Sequence, residues 1–144
     1  MARTSTHVDA PPERVFEILD DARSYQFWVA GSKEIRDVEP GWPAVGSSFH
    51  HSVGIGPITV KDTTSVLERD APRRLKLRAR ARPAGVAHVL FEVTPSGSGS
   101  EVVIEEDPVE GPPAWLHNPL QDKLIERRNA ETLRRLRWMA ERGT

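Results

Sequence analysis

The chain contains no cysteine. That excludes disulfides, thiolate zinc sites, iron–sulfur clusters and a cysteine nucleophile. Net charge is also nearly absent: 20 basic and 21 acidic residues leave −1. The composition therefore gives no bulk signal for nucleic acid or for an anionic membrane surface. No apolar run approaches membrane-spanning length, and the N-terminus lacks the apolar core of a signal peptide. These absences set the expectation of a soluble cytoplasmic protein with no membrane span and no nucleic-acid partner.

Several chemical signatures are missing as well. Gly54-Ile55-Gly56-Pro57 lacks the Lys-Ser/Thr and the following helix of a phosphate-binding loop. The strained Gly-x-Ser-x-Gly turn of serine hydrolases does not occur. His50 and His51 are adjacent, so on a strand their rings point to opposite faces. His7, His88 and His117 are scattered, and no two histidines sit at helical ligand spacing. No metal and no cofactor are expected.

What the chain does have is a succession of short periodic segments. Its 144 residues suit one domain, residues 1–144, with a real core. Arg3 to Asp9 alternate weakly and stop at Ala10-Pro11-Pro12. A proline suits the first turn of a helix, with Asp9 a candidate cap. Val15, Phe16, Ile18 and Leu19 then mark an amphipathic helix over Glu13–Asp21. A second short helix is expected over Ala22–Val29. Strand patterns follow over Lys33–Glu39, Ser47–Val53, Ile58–Arg69, Arg73–Arg82, Val86–Thr94 and Glu101–Asp107. Proline and glycine punctuate nearly all the gaps between them, as turns require. Ser96 to Ser100 reads as a flexible hairpin loop. The basic residues between Arg73 and Arg82 alternate with Leu75, Leu77, Ala79 and Ala81. They read as the wet face of a strand rather than a phosphate-binding stripe.

A single long helix is predicted over Pro113–Gly143, with Leu120, Leu124, Leu133 and Leu136 as its buried face. Short turns between consecutive strands force an antiparallel meander. The long helix is the only element large enough to cover one face of that sheet. The fold class is thus α+β: a curved antiparallel sheet wrapped around a long C-terminal helix, with two short helices after the first strand. Such a sheet leaves a cavity beneath the helix.

Three stretches resemble a known superfamily. They are Val8-Asp9-Ala10-Pro11-Pro12-Glu13-Arg14-Val15-Phe16 with Asp20-Asp21 and Tyr25-Gln26-Phe27-Trp28, then Val66 to Leu75, and Arg128 to Leu136 in the final helix. In this order the chain resembles the helix-grip proteins of the START/Bet v 1-like superfamily, and within it the polyketide cyclase/dehydrase-like branch. The resemblance implies a hydrophobic ligand cavity. It carries over no catalytic set, because the family has no universal catalytic motif. Trp28, Trp42 and Trp115 are placed by the resemblance near the helix and loop end of the cavity, and Trp115 and Leu116, just before the long helix, are expected at its mouth.

Alternation then selects the cavity face. Phe49, His51 and Val53 go together on one strand, and Ile58, Val60, Asp62, Thr64, Val66 and Glu68 on the next. Leu77, Val89, Phe91 and Ile104 lie on the apolar faces of the later strands. The expected ligand-binding set is Trp28, Phe49, Thr64, Val66, Leu77, Val89, Phe91, Ile104, Trp115, Leu116, Leu120 and Leu124. His51, Asp62 and Glu106 are ionisable groups on otherwise apolar faces, and so are the candidate acid–base residues. Taken singly, each better suits a strand end opening to solvent or a satisfied hydrogen bond. Arg127 or Arg128 is expected to turn inward and pair with Glu106 or Asp62, since buried charges are normally paired.

Three functions fit. The first is binding of a small, mostly hydrophobic molecule such as a lipid, polyketide or aromatic metabolite. The second is a polyketide cyclase, aromatase or dehydratase, which needs an acid–base residue beside the ligand. The third is an interaction module of a toxin–antitoxin or stress operon, with the cavity incidental. Pairing into a homodimer is compatible with each.

Overall fold

The structure is a computed structural model that describes residues 2–30, 32–55, 58–81, 85–111 and 119–142. Seven strands form one antiparallel sheet: β1 (Ala2–Val8), β2 (Ser32–Val38), β3 (Ser48–Ile55), β4 (Ile58–Asp70), β5 (Arg74–Ala81), β6 (Gly85–Ser96) and β7 (Gly99–Glu110). Their spatial order is β1-β7-β6-β5-β4-β3-β2. Each strand from β2 to β7 therefore pairs with its neighbours in sequence, as short turns dictate. Helix α1 (Pro12–Asp20), a 3-10 turn (Ala22–Ser24) and α2 (Tyr25–Trp28) follow β1, and α3 (Pro119–Arg142) closes the chain. This is the expected helix-grip architecture.

The start of α1 differs in detail from the expectation. Pro11 is the cap residue and no side chain caps the helix. Asp9 Oδ1 instead accepts from the His7 ring Nε2 at 3.1 Å, and the Asp9 backbone N–H donates to Glu141 at 2.9 Å. The β6–β7 connection is also tighter than a flexible loop. Ser96 pairs directly with Gly99, leaving a two-residue turn. Gly97 takes φ +60°, the left-handed conformation that such turns favour.

Three rows of side chains run across the inner face. One row is Leu75, Phe91 and Ile104; the next is Val66, Leu77, Val89 and Glu106; the third is Phe49, Thr64, Ala79, Ala87 and Pro108. The first row is large, apolar and buried. It belongs to a core completed by Val93, Val102 and, from the helix, Leu133, Leu136 and Ala140. The third row carries two alanines at its centre. Large side chains thus fill one end of the sheet, and small ones leave space at the other.

Helix α3 is held most firmly at its C-terminal half. Arg14 donates to the carbonyls of Met139 and Ala140 at 3.3 and 3.4 Å, satisfying oxygens that a helix end leaves open. The Ala30 N–H donates to Thr132 Oγ1 at 3.0 Å.

The leucine pattern of this helix is corrected by the structure. Leu133 and Leu136 are buried, but Leu120 and Leu124 are 67% and 58% exposed. Leu124 and Leu133 stand nine positions apart. At about 100° per residue that step is close to two and a half turns, which puts the two pairs on opposite sides. Trp138 is likewise exposed, with the Arg142 guanidinium over its ring at 4.6 Å.

Candidate functional site: a cavity between the sheet and helix α3

The space over the third row is a cavity of about 330 Å³. Its wall on the sheet side includes Phe49, Leu77, Ala79, Ala87, Val89, Phe91 and Ile104. Tyr25, Val29 and Ala30 close it from the short helices, and Gln121, Ile125, Arg128, Asn129 and Thr132 from α3. These α3 positions belong to one stripe with Leu133, Leu136 and Ala140. The stripe is apolar where it meets the packed rows and polar where it roofs the cavity.

Asp62 is not a lining residue of the cavity but lies across the ladder from His51, and the other expected site residues fall into four groups. Phe49, Thr64, Leu77, Val89, Phe91 and Ile104 line the cavity together with His51 and Glu106. Val66 and Trp28 are buried in the core beside it. Trp28 stacks edge-on with Phe91 at 5.8 Å and donates its indole N–H to Ser24 at 2.9 Å. Leu120 and Leu124 point away, as described above. Trp115 and Leu116 lie outside the described residues.

An aromatic cluster forms one end wall. Tyr25 contacts Trp28, Phe49 and Trp42, with ring centroids 4.4, 5.0 and 6.1 Å apart. Its hydroxyl donates to the Leu19 carbonyl at 2.6 Å. Burial, together with the nearby Asp20 and Asp21 charges, raises the phenol well above its ordinary pKa. Tyr25 is therefore a protonated structural donor whose ring face serves the cavity.

Polar groups gather at two poles. At the first, His51 Nε2 and the Thr64 hydroxyl are 3.0 Å apart, and both side chains are buried. Burial pushes the His51 imidazole below the usual histidine range, outweighing the opposite pull of Asp62. Asp62, directly across the ladder from His51, is 2% exposed. Its Oδ1 accepts from Arg80 Nε at 2.7 Å and from the Thr63 N–H at 2.9 Å. At the second pole, Glu106 accepts from Arg128 Nη2 on one carboxylate oxygen and from Asn129 Nδ2 at 3.3 Å on the other. The expected inward turn of a mid-helix arginine onto Glu106 is thus present.

Arg80, Asn129, Thr132 and Tyr25 are cavity residues that the sequence reading did not single out. Asn129 and Thr132 are polar, so they merged with the charged face of the helix. Phasing the helix from Leu133, Leu136 and Ala140 would have placed both on the inner stripe. Glu68, expected on the inner face, is exposed and bridges Arg74 and Lys76 at 3.6 and 3.7 Å. A bulge between Val66 and Glu68 turns it outward. Among the described residues, no three His, Asp or Glu side chains converge to hold a metal ion. None of the described helices is long and apolar enough to cross a membrane.

The chain belongs to the family described as polyketide cyclase/dehydrase and lipid transport, whose sequence profile matches residues 2–141. Solved structures share the fold. A START superfamily protein from Mycobacterium smegmatis superposes with a TM-score of 0.79 at 16% identity, over 99% of this chain and 98% of that one. Ara h 8.0201 gives 0.72 at 8% identity, over 96% and 95%. DynU16, a protein of the dynemicin biosynthetic locus, gives 0.71 at 17% identity; 99% of this chain aligns with 48% of that one. No curated protein matches.

Proposed function

We propose that the chain acts as one ligand-binding domain that takes up a compact, mostly apolar molecule beneath α3. The observation that carries this reading is the cavity itself. Its volume of about 330 Å³ is at the small end of the range of small-molecule sites. Its walls are aromatic and aliphatic, with a few convergent polar groups, the composition that lets apolar contact supply affinity and hydrogen bonds set orientation. The family description supports the same reading. Phe49, Leu77, Val89, Phe91 and Ile104 supply contact area, and Thr64 and His51 fix one polar end.

One observation favours a second reading, a cyclase- or dehydratase-like proton transfer. His51 is held neutral at the cavity wall, so it is able to accept a proton near neutral pH. Asp62 and Glu106 are instead engaged by Arg80 and by Arg128 with Asn129. On this reading His51 is the base and the two carboxylates are positioning residues.

Native mass spectrometry of the purified protein tests the binding reading. A single small molecule retained one-to-one is expected, as is one-to-one quenching of tryptophan emission by an apolar fluorescent probe. Failure of every apolar probe and lipid to bind contradicts it. The second reading expects His51→Gln to lower turnover of the retained molecule by about 10²–10⁴-fold, the usual worth of a general base. The first expects altered affinity with no turnover to lose.

A further inference from the structure

We infer that the cavity selects an uncharged ligand: a compact apolar molecule bearing neutral oxygens, carbonyl or hydroxyl, in preference to a free acid. This rests on the binding reading above and specifies the chemical class. The argument is one of charge balance. Two guanidinium groups reach the cavity, Arg80 and Arg128. Each is already bonded to a buried carboxylate, Asp62 and Glu106 respectively. The remaining acid of the described lining, Glu110, is paired with Arg78 at 2.9 Å. Every charge among the described lining residues is thus matched within the protein.

A carboxylate entering such a site gives up its hydration and meets cations whose field is largely cancelled by their partners. Burying an ion without a net counter-charge is strongly unfavourable. A carbonyl or hydroxyl gives up far less. It also finds suitable partners, because a guanidinium has five N–H donors and the bond to Glu106 uses one of Arg128's. The His51–Thr64 pair offers a further polar contact at the opposite pole. The apolar stretch between the poles, over Ala79 and Ala87, suits a flat hydrocarbon body.

Two naphthalenes of the same size test the inference: neutral acetonaphthone and anionic naphthoate, titrated near pH 7.5 by tryptophan quenching. Acetonaphthone is expected to bind the wild-type protein at least about tenfold more tightly, a difference of about 1.4 kcal/mol. Glu106→Gln removes the negative partner and leaves Arg128 uncompensated. It is expected to shift the preference toward naphthoate by about tenfold or more. Asp62→Asn is expected to shift it in the same direction through Arg80, and serves if the first variant does not fold. Equal or tighter binding of naphthoate to the wild type overturns the inference while leaving the cavity reading intact. An unchanged preference in the folded variants also overturns it. Binding of neither naphthalene removes the cavity reading and this inference with it.

Discussion

At the scale of single residues, His51 and Glu106 show how one cavity holds two kinds of polar group. His51 is buried beside Phe49, Thr64 and Asp62, and burial favours its neutral form. An unfolded histidine titrates near 6.5. The folded value lies below that, so the unfolded chain takes up the proton first as the solution is acidified. Stability from this group is present above about pH 6.5 and is lost as pH falls toward the folded value. Denaturant midpoints measured between about pH 7.5 and 5.5 are expected to fall in the wild type, with a shallower fall in His51→Gln. An equal slope in both proteins means that His51 is not the group responsible. Glu106 is a buried carboxylate whose two oxygens are both engaged from α3. Arg128→Ala leaves one oxygen without that donor and is expected to cost about 1–3 kcal/mol, the range for a buried polar group deprived of its partner. Equilibrium unfolding measures it, and a loss near zero would show that solvent replaces the arginine at this partly open position.

At the scale of elements, α3 divides into two functional halves. Its C-terminal half packs against α1, α2 and the large-residue row of the sheet. Its N-terminal half roofs the cavity, bonds Glu106 through Arg128 and Asn129, and runs beside β1. Leu136→Ala is expected to cost about 2–5 kcal/mol, as large-to-small changes in packed cores do. Leu124→Ala should stay within about 0.5 kcal/mol, because its side chain is exposed. Chemical denaturation of the pair separates the two faces, and a large loss at Leu124 would contradict the observed helix phase. Much of this element was legible in the sequence. Turn residues between alternating segments gave the strand order, and the proline-flanked charged stretch gave the helix. The phase of the helix was not legible from leucines alone, since leucine spacing says nothing about which of two opposite stripes meets the sheet. Inner strand faces were legible wherever the ladder is regular. The bulge after Val66 carries no signature in residue type, and it misplaced Glu68. The cavity's polar helix residues, Asn129 and Thr132, were hidden by their chemistry: polar side chains on a helix read as solvated unless the packing of their neighbours is known.

At the scale of the whole molecule, the protein is a sheet gripping a helix with its core displaced toward one end. Ala79 and Ala87 line the cavity where larger side chains would fill the space, so small residue volume helps to make it. Filling it should therefore remove binding without removing the fold. The most direct measurement is the titration of an apolar fluorescent probe against the wild type and Ala79→Phe, with thermal unfolding of both. One-to-one binding to the wild type, and loss of binding in a variant that still unfolds cooperatively, is the expected result. Undiminished binding to folded Ala79→Phe would contradict the placement of the ligand beneath α3.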